Sequence, residues 1–458
     1  MALPLQAETG IKGAVCIIKA DNRLVMVDEI LTQRSSLPAG TIDGVETPQE
    51  TAQREAWEET GLVVTVGDEL ARNEKAVFYD CISDSDIIAF SRQDNQGSHP
   101  LPIWFAPHYG VETSAARLIA PESVDVGAYR YPQQWDTVVD AFQQATNQSV
   151  KYADNLVEAA PSFNRLELSW LMTLQMSVNQ LPSNLAAFVE TVIFAGLELT
   201  SPWLLIVVMP IVYAQFGRAF SLKLMFTLSV AMIMALVAQQ GVQLPAPHVY
   251  LSSLNQSAQA GFSLPNVTLA VWVVVFTVLK QKLNWGWGRN TGLSLLLILW
   301  LSVAEFYSGS AFLVDLMAGG VLGWLCAWHI VRVEQDPKVN FSLTESKGAW
   351  ALLVLVGGIV LMLWPTPTFL YLAATLTSLF FASRLIPNEH KLQKGRLIVT
   401  LAVLLLVNLM FSLLHGYTSD SNMHSLILEA LRWPVIVLLF CALIMVKNGQ
   451  GLQSKASN

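Results

Sequence analysis

The chain has 458 residues and carries 27 Lys and Arg against 35 Asp and Glu, a formal net charge of −8. The imbalance comes from residues 1–180, whose 12 basic and 25 acidic side chains argue against binding to DNA, RNA or any other nucleic acid. Residues 181–458 hold 15 basic and 10 acidic side chains among long apolar runs. The 53% apolar composition is therefore the average of an acidic, polar part and a membrane-embedded part.

The first 150 residues predict a small α/β domain. Apolar runs at Gly13–Ile18 and Leu24–Val27 lie on either side of Asp21 and Asn22, which together form a hairpin signal. Residues 132–145 predict a last helix, because a proline opens this segment. Further strands are predicted at Leu62–Val66, Ala76–Cys81 and Ile87–Phe90.

A short acidic helix is predicted after the first strands. The residues from Thr47 to Glu50 form a capping box with proline at the first helical position, and Gly61 stands where a helix stops. On this helix Glu55, Glu58 and Glu59 share one face, where like charges repel. A divalent cation removes the repulsion, and Mg²⁺ prefers carboxylate oxygen and also binds phosphates.

The stretch 40–62 resembles the signature of the Nudix hydrolases, G-x5-E-x7-R-E-U-x-E-E-x-G-U. The chain fills each position of this signature, with Gly40, Glu46, Arg54, Glu55, Ala56, Glu58, Glu59, Gly61 and Leu62. One departure lies next to the signature, where Ala39 replaces a glycine that is common in the family. The resemblance implies an α/β Nudix sandwich, a mixed sheet with a catalytic helix.

The resemblance also implies roles for these side chains. Glu55, Glu58 and Glu59 would hold Mg²⁺ or Mn²⁺ against a diphosphate, Arg54 would orient a neighbouring carboxylate, and Glu46 would brace the loop. Water would attack a phosphorus of a nucleoside diphosphate linked to another group, with Glu58, Glu59 and Arg54 as the catalytic residues. The general base stays open between Glu58, Glu59, Glu112 and Glu122.

The substrate pocket is expected between the strands and the acidic helix. Five aromatic residues there are candidates for stacking on a base, although an aromatic residue in such a place is more often part of the core: Tyr79, Phe90, Trp104, Phe105 and Tyr109. The four cysteines have no metal-binding spacing, and we expect reduced thiols and no disulfide framework for Cys16, Cys81, Cys326 and Cys441.

The second part of the chain contains nine membrane spans by length and hydropathy. They lie near 201–217, 221–238, 264–279, 291–304, 312–331, 349–364, 366–383, 397–414 and 427–446. One alternate set of connections carries fourteen basic residues, namely Arg218, Lys223, Lys280, Lys282, Arg289, Arg332, Lys338, Lys347, Arg384, Lys391, Lys394, Arg396, Lys447 and Lys455. The other set, with the long 239–263 and 415–425 connections, has only Arg432 near it. The positive-inside rule therefore places the first set in the cytoplasm.

A tenth span follows if the nucleotide-hydrolysing domain is cytoplasmic. The charge pattern starts the 201–217 span outside, so the chain would have to cross once before it, and Ser183–Leu199 is the apolar candidate. Glu190 and Glu198 in it should face protein or an interface. The alternative is a domain outside the cell. The prediction is a multi-pass protein of a bacterial inner membrane with the Nudix-like domain in the cytoplasm.

Residues 183–331 resemble the type 2 phosphatidic acid phosphatase superfamily, which has six spans and an outer catalytic face. The order and spacing of the family motifs match, but the chemical groups are largely missing. The phosphate-binding positions fall on Gln239, Ala246 and Glu305, the two histidines fall on Thr268 and Ala311, and only Asp315 is retained. The resemblance therefore implies a phosphatase-like fold without a histidine nucleophile or a phosphate clamp.

Four segments result from these observations. They are the Nudix-like domain at 1–150, a linker with a possible interfacial amphipathic helix at 151–182, the phosphatase-like domain at 183–331, and four further transmembrane helices with a cytoplasmic tail at 332–458. The part from 183 onward is predicted as an all-α polytopic membrane domain of about ten spans. Gly319 and Gly323 allow close helix approach, within the chain or in a homo-oligomer.

Three functions are compatible with the sequence. The first is a membrane-anchored, metal-dependent pyrophosphohydrolase that cleaves a nucleoside diphosphate derivative and has a non-catalytic membrane domain. The second is a bifunctional enzyme that also dephosphorylates a lipid or isoprenoid phosphate. The third is a nucleotide sensor on a membrane transporter or scaffold, which would bind without turnover. The complete acidic triad favours the first.

Overall fold

The computed structural model describes residues 10–199, 201–251, 260–336, 342–387, 392–419 and 421–445. The chain divides into two compact units. The first unit comprises Met1–Leu168, Pro245–Phe262 and Thr418–Asn422, and the second comprises Ser169–Leu244, Ser263–Tyr417 and Met423–Asn458. Four basic residues used in the topology prediction lie outside the described residues, namely Lys338, Lys391, Lys447 and Lys455.

The first unit contains twelve described strands and two of the described α-helices. The strands are β1 Gly13–Ile17, β2 Lys19–Ala20, β3 Arg23–Glu29, β4 Ser35–Ser36, β5 Ala39–Thr41, β6 Val64–Arg72, β7 Ala76–Ser83, β8 Ile87–Phe90, β9 His99–Leu101, β10 Thr113–Ile119, β11 Asn147–Gln148 and β12 Val150–Ala153. The helices are α1 Pro48–Thr60 and α2 Trp135–Gln144. The strands form one sheet in the order β5-β1-β7-β6, a second in the order β11-β2-β3-β10-β9 with β4 beside β3, and a β12-β8 pair.

Strand β1 is buried on both faces, and alternate side chains enter two different cores. Ala14 and Cys16 belong to one cluster, together with Ala52 of α1. Val15 belongs to the other cluster, which includes Val138 of α2. Because successive side chains of a strand point to opposite faces, a continuous apolar run such as this one needs cover on both sides. This places α1 directly against the strand that leads to the site.

Most of the predicted elements of this unit are confirmed with shifted ends. The predicted strand at 62–66 begins later, as β6, and extends to Arg72. The predicted helix at 132–145 starts with a 3-10 turn over Pro132–Gln134 before α2. Strand β10 was not predicted, because its Thr-Ser-Ala-Ala start has weak strand propensity and its place is set by antiparallel pairing with β3.

A disulfide joins Cys16 of β1 to Cys81 of β7, contrary to the expectation of four reduced thiols. The two strands are parallel neighbours, and this pairing brings together residues that lie 65 positions apart in the chain. Sequence spacing gives no sign of such a pair. Cys326 and Cys441 are free and buried, as expected.

The remaining helices form the second unit, apart from the first residues of α3. They are α3 Ser162–Asn179, α4 Ser183–Glu198, α5 Leu204–Val242, α6 Val267–Lys282, α7 Arg289–Tyr307, α8 Leu313–Gln335, α9 Lys347–Leu363, α10 Pro367–Leu385, α11 Lys394–Thr418 and α12 Asn422–Met445. Helix α5 spans two predicted segments and is interrupted at Gly217, whose φ is 77°. Among the described residues, six helices are long and apolar enough to cross a membrane, namely α5, α7, α8, α10, α11 and α12. The chain is therefore a membrane protein by these criteria, whereas the count of ten spans is not confirmed.

Helix α4 occupies the predicted tenth span and is short for that purpose. Its 16 residues extend about 24 Å, compared with about 30 Å of hydrocarbon in a typical bilayer. The Tyr307 hydroxyl of α7 donates a hydrogen bond to Glu190 at 3.2 Å, and the Trp300 indole donates one to the carbonyl of Val192 at 2.9 Å. Glu190 thus faces protein, as its cost in lipid requires.

The phosphatase-like positions of residues 183–331 make structural contacts. Asp315 accepts hydrogen bonds from the Ser263 hydroxyl at 2.6 Å and from the Phe312 amide at 2.9 Å. The amide of Gln239 donates to the carbonyl of Pro265 at 2.9 Å. Ala246, Glu305 and Ala311 are buried, and Thr268 is half-buried on α6. The retained aspartate therefore orients backbone and a serine here.

The glycines of α8 allow close packing within this chain. A Cβ on Gly319 would overlap the backbone of Asn266, and one on Gly323 would overlap the backbone of Ala270 in α6. Gly320 between them has only ordinary contacts, with the nearest side-chain atom 3.8 Å away. The small residues thus set the distance between α6 and α8.

We expect Gly323→Ala to lower the free energy of unfolding by about 1–3 kcal/mol, because two backbones must separate to admit the methyl group. Gly320→Ala is the matched control on the same helix and should change stability by much less. Thermal or denaturant unfolding of the full chain in detergent micelles measures both. Equal effects of the two substitutions would contradict close packing at Gly323.

Candidate active site

Helix α1 holds the acidic residues of the site on one side. Thr47 caps the helix, because its hydroxyl accepts a hydrogen bond from the Glu50 amide at 3.2 Å and the Glu50 carboxylate accepts one from the Thr47 amide at 2.8 Å. Gly61 ends the helix in the left-handed conformation, with φ of 71°. A Cβ at this position would overlap the ring of Phe105. Both helix ends predicted from the sequence are confirmed.

The guanidinium group of Arg54 connects three carboxylates. Its Nε lies 2.9 Å and its Nη2 3.1 Å from the two oxygens of Glu46. Its Nη1 lies 2.7 Å from Glu55 Oε1 and 2.7 Å from Glu58 Oε2. The hydrogen bond to Glu46 is the main reason that the pKa of Arg54 rises and that of Glu46 falls. Arg54 thus offsets the repulsion that the glutamate spacing would otherwise cause.

Glu55 and Glu59 are buried carboxylates, with exposed fractions of 7% and 6%. Burial is the main reason that the pKa of each rises, for Glu59 well above its ordinary range, and the charge of Glu55 adds to the effect on Glu59. Glu59 also accepts a hydrogen bond from the Ala39 amide at 3.1 Å. Buried acids of this kind are stabilised in their charged form by a nearby cation.

His108 is a further possible metal ligand beside Glu55 and Glu58, and it was not identified from the sequence. One ligand atom each of Glu55, Glu58 and His108 lie within 4.8 Å of one another. His108 Nε2 is 3.8 Å from Glu58 Oε2, and its Nδ1 is 3.2 Å from Glu112 Oε2. The carboxylates fit Mg²⁺ or Mn²⁺, whereas imidazole is more typical of softer metals. His108 lies outside the signature, and only the fold brings it to α1.

Gly40 leaves the space that the Glu55 carboxylate occupies. A Cβ built on Gly40 would overlap the carboxylate of Glu55. Gly40 lies in β5, which pairs with β1 through Ala14, so its position is fixed by the sheet. The glycine of the signature is therefore required by contact with the first glutamate.

A cavity of about 370 Å³ lies next to this acidic face and is large enough for a small ligand. Charged and aromatic side chains form much of its wall, namely Lys12, Glu29, Glu55, Glu59, Lys75, Glu112, Tyr129, Arg130 and Tyr131, and Asn422 completes it. Arg130 forms an ion pair with Glu29 at 2.8 Å. The cavity thus combines acids for a cation with bases for an anion.

The five aromatic residues proposed for base stacking lie elsewhere. None of the five is among the described residues that line the cavity. The aromatic residues in its wall are Tyr129 and Tyr131. Tyr79, Phe90 and Tyr109 are buried, Trp104 packs against the core, and Phe105 is half exposed beside Gly61. These residues are core or surface residues, and the tyrosines were missed because they lie in an irregular segment before α2.

The candidates for a general base are separated by the fold. Glu112 lines the cavity, and the hydrogen bond with His108 is the main reason that its pKa falls. Glu122 is exposed on a 3-10 turn and is not among the cavity residues. Glu58 and Glu59, which are adjacent on α1, remain candidates and differ in their contacts. Glu58 accepts a hydrogen bond from Arg54, whereas Glu59 accepts one from the Ala39 amide.

We expect Gly40→Ala to abolish binding of Mn²⁺ at this site, because the methyl group displaces the Glu55 carboxylate. Gly67→Ala is the matched control, since the atom nearest to a Cβ there is the Asp80 carbonyl oxygen, at an ordinary contact distance of 3.4 Å. Electron paramagnetic resonance of Mn²⁺ with the purified full chain measures binding, and hydrogen exchange of α1 tests whether the helix remains folded. Unchanged Mn²⁺ binding in Gly40→Ala would contradict this role of the glycine.

The matches to known proteins concern residues of the first unit. The NUDIX domain family model matches residues 11–138. Two solved structures align with part of the chain. An ADP-ribose pyrophosphatase from Streptococcus suis has 16% identity and a TM-score of 0.21, covering 30% of this chain and 96% of its own. A NUDIX hydrolase from Nitrosomonas europaea has 14% identity and a TM-score of 0.19, covering 31% of this chain and 80% of its own.

No curated protein matches the chain, and no family match supports the phosphatase-like resemblance of residues 183–331. The matched range contains the capped helix, Gly40 and the carboxylates that Arg54 holds. Residues 11–138 of this chain are therefore a Nudix domain.

Proposed function

We propose that this protein is a membrane-anchored, metal-dependent pyrophosphohydrolase that cleaves a nucleoside diphosphate linked to another group. The observation that carries the proposal is the acidic face of α1, where Arg54 joins Glu55 to Glu58 and where Glu55 lines a cavity of about 370 Å³. Nudix hydrolases generally use divalent ions such as Mg²⁺ or Mn²⁺. A sensor that only binds nucleotide does not need the complete set of acids.

Glu55, Glu58 and Glu59 would hold the metal, with His108 beside them. A bound divalent ion would neutralise charge on the phosphoryl group and lower the pKa of water. Lys12 and Arg130 line the same cavity and are placed to bind phosphate oxygens. Of the two tyrosines in the cavity wall, Tyr131 has an exposed ring that a base could stack on.

Two of the acids that line the cavity, Glu59 and Glu112, are candidates for the general base that accepts a proton from water. If one of these glutamates is the general base, its replacement by Gln should lower kcat by about 10²–10⁴-fold. The same replacement should remove the fall of kcat at low pH, the acidic limb of the pH profile. Gln at the other position should leave that limb in place. The pH dependence of kcat for Glu59→Gln and Glu112→Gln, each with Mn²⁺ binding measured separately, decides between them. If both variants keep the limb, neither residue is the general base.

Metal affinity should rise with pH in this site. Burial raises the pKa of Glu55 and Glu59, so at low pH a proton competes with the metal for each carboxylate. Titration of Mn²⁺ into the full chain at several pH values above and below neutrality measures the effect, and Glu59→Gln should flatten it. An affinity independent of pH would contradict the raised pKa values.

The membrane part is proposed as a non-catalytic anchor. The segments at 183–331 and 332–458 would fix the Nudix domain, at 1–150, to a bacterial inner membrane, with the linker at 151–182 between them and a homo-oligomer as the assembly. Thr268 and Ala311 stand where a phosphatase needs histidine, and Asp315 is engaged by Ser263. The bilayer would concentrate a substrate carried on or used near it.

The cytoplasmic placement of the Nudix domain was predicted from where nucleotides are made, and it required the tenth crossing at 183–199. Helix α4 in that place is short and packs on α7. A placement of the domain on the other face does not require this crossing.

Hydrolysis by the full chain in lipid nanodiscs with Mg²⁺ tests the proposal. A panel of free nucleotides, nucleoside diphosphate sugars and a lipid-linked diphosphate should contain a substrate, and Glu58→Gln should lower its turnover by at least 10²-fold. Glu69→Gln is the control, because this acid pairs with Arg72 on an exposed strand. Tight nucleotide binding without turnover would support a sensor instead, and phosphate release from a lipid phosphate by Glu58→Gln would support a bifunctional enzyme.

A further inference from the structure

Two connections between membrane helices belong to the same compact unit as the Nudix domain. The first is Pro245–Phe262, between α5 and α6. Its Tyr250 carbonyl accepts a hydrogen bond from the Leu156 amide at 2.9 Å, and the Tyr250 ring lies 5.4 Å from that of Trp104. Val249 of the same connection is part of the domain core, with an exposed fraction of 8%. The described part of this connection around Val249 and Tyr250 is therefore packed into the domain.

The second connection is Thr418–Asn422, between α11 and α12. The Ser419 hydroxyl accepts a hydrogen bond from Arg34 Nε at 2.8 Å. Arg34 also donates to the carbonyl of Gly127 at 3.1 Å, so the same side chain joins two segments of the unit. Asn422 lines the cavity that contains Glu55 and Glu59. A membrane-helix connection thus borders the active site itself.

Both connections belong to the set that is poor in basic residues. Neither contains a lysine or arginine, and Arg432 is the nearest basic residue of this set in the sequence. The opposite set carries Arg218, Arg289, Arg332 and Arg384 among its fourteen basic residues. The positive-inside rule assigns the basic set to the cytoplasm and the two packed connections to the other side of the membrane.

We propose that the Nudix active site works on the non-cytoplasmic face of the membrane, completed by the α11–α12 connection, on a diphosphate presented at that face. The chain then needs nine crossings, because α5 begins on the same side as the domain, and α4 does not have to cross. The C-terminal end remains in the cytoplasm, with the basic connections.

The disulfide supports this placement independently. Cys16 and Cys81 are both completely buried between β1 and β7 and are joined in the structure. Disulfides persist outside the cytoplasm and are rare in cytoplasmic proteins, where thiols are kept reduced. The charge pattern and the disulfide concern different residues and agree on the same compartment.

The substrate class follows from the compartment, and this part rests on the proposed function. Free nucleotides are made in the cytoplasm, so a diphosphate at the other face must be exported or be carried by a lipid of the outer leaflet. The substrate is therefore supplied by a step that moves a diphosphate-linked compound across the membrane, or by a step that releases such a compound at the outer surface.

Cysteine labelling tests the topology without any assay of activity. Single cysteines at Asn95 in the Nudix domain, Gly241 at the end of α5 and Gly286 between α6 and α7 are exposed, and the native Cys326 and Cys441 are buried. In sealed right-side-out vesicles, a membrane-impermeant maleimide should label Asn95→Cys and Gly241→Cys, and should label Gly286→Cys only after permeabilisation. If Asn95→Cys is labelled only after permeabilisation, as Gly286→Cys is, the proposal is overturned.

Trapping of thiols tests the compartment a second way. Cells quenched in acid and denatured with an alkylating reagent should give two adducts per chain without reductant, on the free cysteines, and four after reduction, because the chain has four cysteines. Four adducts without reductant show a reducing compartment and also overturn the proposal.

Vesicle orientation separates this proposal from the proposed function. Right-side-out vesicles should hydrolyse an added impermeant nucleoside diphosphate sugar or lipid-linked diphosphate, whichever the nanodisc panel identifies, and Glu58→Gln vesicles should not. Hydrolysis only by inverted or permeabilised vesicles keeps the proposed function and overturns the placement. Hydrolysis in neither orientation, by a chain that labels as expected, overturns the substrate assignment at this face.

The contribution of Asn422 to the site is measured in the same system. Asn422→Ala should change KM for the substrate several-fold while kcat and Mn²⁺ binding stay within twofold, because the residue borders the cavity and is not one of the proposed metal ligands. Ser421→Ala is the neighbouring control. An unchanged KM in Asn422→Ala contradicts completion of the site by this connection.

Discussion

One guanidinium group determines the arrangement of the site. Arg54 binds both oxygens of Glu46 and, through a single nitrogen, one oxygen each of Glu55 and Glu58. Three carboxylates on or beside one helix would otherwise repel, and two of them would turn to solvent. Because Arg54 is planar and permanently charged, it fixes their directions as well as their charge. The shape of the acidic cluster therefore depends on this one side chain.

The local features of the site could be predicted because they depend on short-range rules. The capping box at Thr47, the stop at Gly61 and the shared face of the glutamates are all set within one helix. Gly40 was also identified, by the signature, although its physical reason, contact with the Glu55 carboxylate, needs the sheet. The position of His108 beside Glu58 depends on a loop before β10, and no spacing in the sequence encodes it.

The incorrect or incomplete predictions share a physical origin. The aromatic candidates were chosen by residue type, but burial assigns Tyr79 and Tyr109 to the core. The cysteines looked isolated because 65 residues separate Cys16 from Cys81, and only the parallel pairing of two strands joins them. The span count depended on an assumed compartment, whereas hydropathy and charge alone gave nine. Burial and long-range pairing, which local patterns do not record, decide the first two cases.

The central position of β1 links the disulfide to the active site. On one side β1 is joined to β7, where Cys16 carries the crosslink, and on the other side Ala14 pairs with Gly40 of β5. A covalent bond therefore fixes the register of the strand against which the glycine loop is aligned. Sliding of β1 by two residues would carry Gly40 away from the first glutamate of the helix, and the crosslink forbids that slip. Reduction of the bond would act on the position of Gly40 through β1, from the side of that strand that faces β7.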